Sequence, residues 1–224
     1  MIVASLALLG ATAGWKIASF PHVASRIAVH ASPPPAYAAP AAAPDAVQLD
    51  HLFLTVQHEA SIPACHTMAD QLGFAVPCPN LLPTDAFISG PACCIFGNPK
   101  VAPLFVLESH FTAPAGYPPA EASSGPATGH LVIIAERRTP IASALSCQTT
   151  ISDGTGPPIW GSTSYWELCH VPGTNQGHRI LEWETAGIAY SVSLHGETEE
   201  NRTAIALIAV HLDLVEPGVG GADG

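Results

Sequence analysis

Basic residues are scarce in this chain. Seven Lys and Arg stand against eighteen Asp and Glu, a net charge of −11 with histidine neutral. A reader of nucleic acid needs a basic stripe to displace counterions from phosphate, and a polybasic membrane binder needs clustered Lys and Arg. Both classes are excluded. Aromatics make up 7% and charged residues 11% of the 224 positions. No C-x-x-C, P-loop, G-x-G-x-x-G or G-x-S-x-G motif occurs, so no redox pair, zinc ribbon, nucleotide cradle or nucleophile elbow is encoded, and no cofactor is implied.

Alanine, proline and glycine fill the space left. The hydrophobic fraction is 48%, with 22 Pro and 19 Gly, too apolar for disorder along the whole chain. These residues are unevenly spread. Ile2 to Gly14 is uncharged and rich in Ala and Leu, followed by Trp15, Lys16 and Ile17. Three readings are open for residues 1–22: a membrane anchor from Ile2 to Phe20, a signal segment whose true start lies upstream, or a buried apolar N-terminus. Thirteen residues are short for a span, which takes about 20, and Ala11-Thr12-Ala13 has the small-x-small form of a cleavage site. From Ala31 to Val47, thirteen of seventeen residues are Ala or Pro. That composition makes a semi-rigid, extended linker. Residues 48–218 hold sixteen acids and five bases, 5 − 16 = −11, so the acidity belongs to this segment. Residues 219–224 are a Gly-rich tail, expected to be disordered.

The segment 48–218 is long enough for one sizeable core. Ser61, Pro63 and Gly73 bracket a helix over about 62–72, with Ala64, Cys65, Met68, Ala69 and Leu72 on one face. Strand-like runs bounded by Gly or Pro follow at 86–96, 103–111, 130–136, 159–169, 179–184 and 188–195, after a first strand at 49–56 and a brief one within 74–83. Thr198, with Glu199 and Glu200 behind it, caps a last helix expected over about 199–214. The expected fold is α+β: an antiparallel sheet of about six to eight strands flanked by an N-terminal and a C-terminal helix.

Six cysteines, at 65, 78, 93, 94, 147 and 169, all lie in this segment. An even number behind an apolar N-terminus points to disulfides in an oxidising compartment. Cys147–Cys169 is the expected bridge across the loop at Asp153 to Pro158. For the others, Cys65–Cys78 and a bond from Cys78 to Cys93 or Cys94 both stay open.

Nine of the eleven histidines also lie here. In His178-Arg179-Ile180-Leu181-Glu182-Trp183-Glu184, a strand puts His178, Glu182 and Glu184 on one face. A hairpin centred on Ala186 and Gly187 sets His178 opposite His195. His178, Glu182 and His195 are therefore the candidate metal set, two imidazoles and a carboxylate. A half-solvated strand alternates polar and apolar residues without any ligand, which is the competing reading. Trp160, Trp166, Trp183 and Tyr190 are candidate binding aromatics, although the same residues serve equally as inter-strand packing.

The run from Gly187 to Gly196, with Asn201-Arg202 and the early Leu82-Pro83, resembles exported or membrane-anchored bacterial domains of a PsbP-like α/β/α kind. The resemblance covers about 60 residues. It implies a fold and an address, with no reaction. The sequence reads as a non-enzymatic, disulfide-stabilised extracytoplasmic domain, secreted or held to the membrane by its N-terminus, that binds a partner protein, a cell-envelope component or a small ligand. The alternative is a metal-dependent extracytoplasmic hydrolase using His178, Glu182 and His195.

Overall fold

A computed structural model describes residues 44–56, 62–88, 92–93, 103–117, 128–137, 149–170 and 177–218. The N-terminal apolar segment, the linker up to residue 43, Ser61, Cys94, Cys147, the side chain of Cys93 and the tail lie outside them. The first half of the chain contributes β1 (Ala46–Gln48), β2 (Phe53–Val56), α1 (Ile62–Leu72), β3 (Val76–Pro79), β4 (Leu81–Pro83), β5 (Phe87–Ile88), β6 (Ala92–Cys93) and β7 (Leu104–Thr112). The second contributes β8 (Thr128–Arg137), β9 (Thr149–Thr155), β10 (Ser164–His170), β11 (Gly177–Thr185), β12 (Ile188–His195), α2 (Glu199–Val210) and β13 (Leu212–Val215).

The main sheet runs β5-β7-β8-β12-β11-β10-β9, with β6 also paired to β7, and every pairing in it is antiparallel. The fold is α+β. Two small sheets, β1-β2-β4 and β13-β3, sit beside it. Among the described residues no helix is long and apolar enough to cross a membrane.

The β11–β12 hairpin fixes the centre of this sheet. Thr185 pairs with Ile188, leaving Ala186 and Gly187 as a two-residue turn with φ of 51° and 75°. Positive φ at both positions is the turn whose twist matches that of paired strands. It locks the register, and register decides which side chains share a face.

One face carries the core. Phe105, Leu107, Leu131, Ile133, Tyr190, Val192, Leu194 and Leu181 pack in one cluster with Cys65 and Ala69 of α1 and Ala204, Ile205 and Ile208 of α2. Trp160, Trp183 and Tyr190 belong to it too, edge-on or stacked at ring separations of 5.1 to 5.7 Å. The Tyr190 hydroxyl donates to the Ala75 carbonyl, 3.1 Å away. Cys65 and Cys78 form a disulfide that ties α1 to β3. Cys169 is disulfide-bonded as well, to a cysteine whose side chain lies outside the described residues.

Several boundaries depart from the sequence reading. The last helix ends at Val210, short of 214, and Leu212–Val215 turns into β13, pairing with β3. The buried pair Leu212 and Val215 suits a helix or a strand end equally, and only the partner strand discriminates. The stretch at 74–83 is two strands that join different sheets. Asp153 to Thr155 belong to β9 instead of a loop, accepted by a register shift against β10. The strand expected from 159 begins at Ser164, because Trp160 and Gly161 adopt positive φ in a turn closed by Ile159 and Ser162. Ala46 and Val47, read as linker, already pair in β1.

A candidate three-histidine metal centre

The opposite face of the sheet is built differently. Register pairs His110 with His130 across β7 and β8, and Cys169 with His178 across β10 and β11. One residue along, Leu131 pairs with Leu194 and Leu194 with Arg179. His130, His195 and His178 therefore stand side by side on three adjacent strands. Ring centroids are 3.7 Å apart for His130 and His195, 3.9 Å for His195 and His178, and 5.1 Å for His130 and His178. One nitrogen from each ring lies within 4.8 Å of the other two. Tetrahedral zinc with 2.0–2.1 Å bonds needs nitrogens about 3.3 Å apart. Closing the difference takes at most about 1.5 Å of ring movement, within the reach of side-chain torsions.

Burial sets the protonation state. Burial first, then the neighbouring His130, pushes the His178 imidazole down to about 4. Burial, then His178 and His130, brings His195 down to about 3. Both rings are neutral at any physiological pH, which is the form that ligates metal. The Nδ1 atoms of His178 and His195 are buried without a hydrogen-bond partner, a costly state unless something else satisfies them.

The first turn of α2 fixes His195, the middle member of the three. Thr198 caps the helix and accepts from the Asn201 amide, 3.1 Å away. The buried Asn201 side chain donates to the carbonyls of His195 and Gly196. Its oxygen accepts from Tyr117, 2.8 Å away. Cys169, directly across from His178, is disulfide-bonded, which braces the His178 end of the row.

Glu182 does not belong to this set. It pairs with Ser191, four residues along β11 from His178. Four residues at about 3.3 Å each put it about 13 Å away along the strand. His130 occupies the third position that the sequence reading gave to Glu182, because neighbours in a sheet come from adjacent strands and not from the same one. Burial pushes the Glu182 carboxyl up to about 7, helped by the charges of Glu167 and Glu136. Its Oε1, with Glu136 Oε1 and the hydroxyls of Ser191 and Ser193, is also buried without a partner on this face.

The candidate aromatics are not a surface patch. Trp166, Trp183 and Tyr190 are buried and Trp160 half-buried in the core; their width fills the space between sheet and helix. His130 and His110 were the residues missed. Their signal was positional: His110 near the end of β7 and His130 at the start of β8, then His178 at the start of β11 and His195 at the end of β12. In an antiparallel meander such alternating ends meet at one edge.

No family model, curated protein or solved structure matches the chain, so the chemistry of this site rests on its geometry alone.

Proposed function

We propose that this is an extracytoplasmic domain, exported or anchored by its N-terminal segment, that binds one divalent transition-metal ion through His130, His178 and His195. The observation that carries the reading is the convergence of three imidazole nitrogens within 4.8 Å. Neutral imidazole suits zinc, copper and nickel, and zinc accepts a site of three protein ligands with a fourth position open. An even cysteine count with a disulfide between Cys65 and Cys78 supports the oxidising address.

The open position leaves room for the hydrolase alternative, since a zinc-bound water ionises near neutral pH. In that form Glu182 stands outside the metal's reach, and any proton acceptor would come from elsewhere. The binding reading needs no such group and is the one advanced.

Zinc titration of the purified, chelator-stripped full chain, read by calorimetry and elemental analysis, tests it. One ion per chain is expected, lost in His130→Ala, His178→Ala and His195→Ala and retained in His66→Ala. Sub-stoichiometric zinc in the wild type, or full binding in the triple variant, overturns it.

A further inference from the structure

The histidine row does not stop at the three ligands. His110 follows His130 on β7 at a ring separation of 6.0 Å. Its Nε2 lies 3.1 Å from the Glu108 carboxylate on the same face. Accessibility is graded along the row: the Glu108 and His110 side chains are 44% and 32% exposed, His130 and His195 are half-buried, and His178 is 7% exposed. Phe87 on the edge strand β5 stacks on His110 at 5.5 Å and holds the ring in line.

Resting on the metal reading above, we propose that Glu108 and His110 form an outer capture site that takes a divalent metal ion from solution and passes it to the three-histidine centre. An imidazole nitrogen and a carboxylate oxygen make a two-donor site, enough to hold an ion briefly but weaker than three imidazoles. The ion takes the place of any proton shared between the pair. His130 then serves as the bridging ligand, adding its nitrogen to the captured ion before the outer donors let go. Ligand exchange in steps of 4 to 6 Å avoids a fully dehydrated ion at any point. His178, the buried ligand, needs such a route in, and in this sheet it lies along a single row of side chains.

A route lowers the barrier in both directions and leaves the end states alone. Stopped-flow mixing of the chelator-stripped full chain with zinc, and of the zinc-loaded chain with a chromophoric chelator, therefore separates it from a structural role. His110→Phe keeps an aromatic ring against Phe87, and Glu108→Gln keeps the size of the side chain while removing its charge. In each variant, loading and unloading should slow together by about tenfold while Kd stays within about threefold of wild type. Unchanged rates in both variants overturn the proposal. So does a loss of stoichiometry in His110→Phe, which would make His110 a ligand of the centre itself. A wild-type chain that binds no zinc fails the metal reading instead. If His110→Phe misfolds, as its melting and near-ultraviolet spectrum would show, Glu108→Gln decides alone.

Discussion

Two faces of one sheet share strands and register, yet carry opposite chemistry. Leu131 and His130 are neighbours in β8. Leu131 points into the core with Leu194 and Leu107, while His130 joins the imidazole row. The core face gains from removing apolar surface from water, at roughly 25 cal/mol per Å². The histidine face gathers more of the buried polar atoms without partners, Nδ1 of His178 and His195, Oε1 of Glu136 and Glu182, and Oγ of Ser191 and Ser193, than the core face, which holds Ser109 Oγ, Arg179 Nε and Trp183 Nε1. Each such atom costs about 1–3 kcal/mol if nothing satisfies it. A stretch of sheet that bears this cost is suited to a ligand more than to packing.

The sharpest way to break the comparison is to cut the same strand on both sides. Leu131→Ala should lower unfolding free energy by about 2–5 kcal/mol in urea titrations. His130→Ala should leave metal-free stability within about 1 kcal/mol of wild type. Equal losses would make the histidine row an ordinary part of the core. Next in size is the effect of the ion. Zinc at a hundredfold excess over Kd should stabilise the wild type by about 2.7 kcal/mol and His130→Ala by nothing, read as a melting shift that a chelator reverses.

The pH dependence of Glu182 gives a smaller effect. Its carboxyl is raised from 4.5 to about 7 in the folded chain, so the folded state holds a proton that the unfolded state has released. Stability from that proton is fully present below pH 4.5 and is lost as pH rises through about 7. Glu182→Gln removes the titration. In chelator-treated protein its unfolding free energy in urea should match wild type near pH 4 and exceed it at pH 8, by about 1–2 kcal/mol once solvent screening of the half-buried group is counted. A constant difference across that range would show that burial does not govern this carboxyl. The smallest test lies in the turn that sets the register. Ala186 sits at φ 51°, where an L-residue other than Asn or Gly costs about 1–2 kcal/mol. Ala186→Asn should stabilise by about 1 kcal/mol and leave zinc affinity untouched.

The sequence reading recovered α1 over Ile62–Leu72, the β11–β12 hairpin and the start of α2, since each has a local mark: helical spacing of Ala64, Cys65 and Met68, an Ala-Gly turn, and Thr198 before two acids. It set His178 across from His195 for the same reason, because a two-residue turn dictates register over a short hairpin. It chose Glu182 as the third ligand by proximity in sequence, where the strand rise of about 3.3 Å per residue carries a side chain away from its neighbour. His130, 48 residues before His178, comes within 5.1 Å of it, ring to ring, only because β8 and β11 both pair with β12.

By itself, then, the sequence determined the class of fold, the acidic character of the domain and the local elements whose hydrogen bonds close within a few residues. The order β5-β7-β8-β12-β11-β10-β9, the strand identity of Leu212–Val215 and the assembly of three imidazoles were decided by tertiary structure. The physical reason is that strands complete their hydrogen bonds with distant partners. A side chain's neighbours in a sheet are therefore a property of the pairing, which no window along the chain contains.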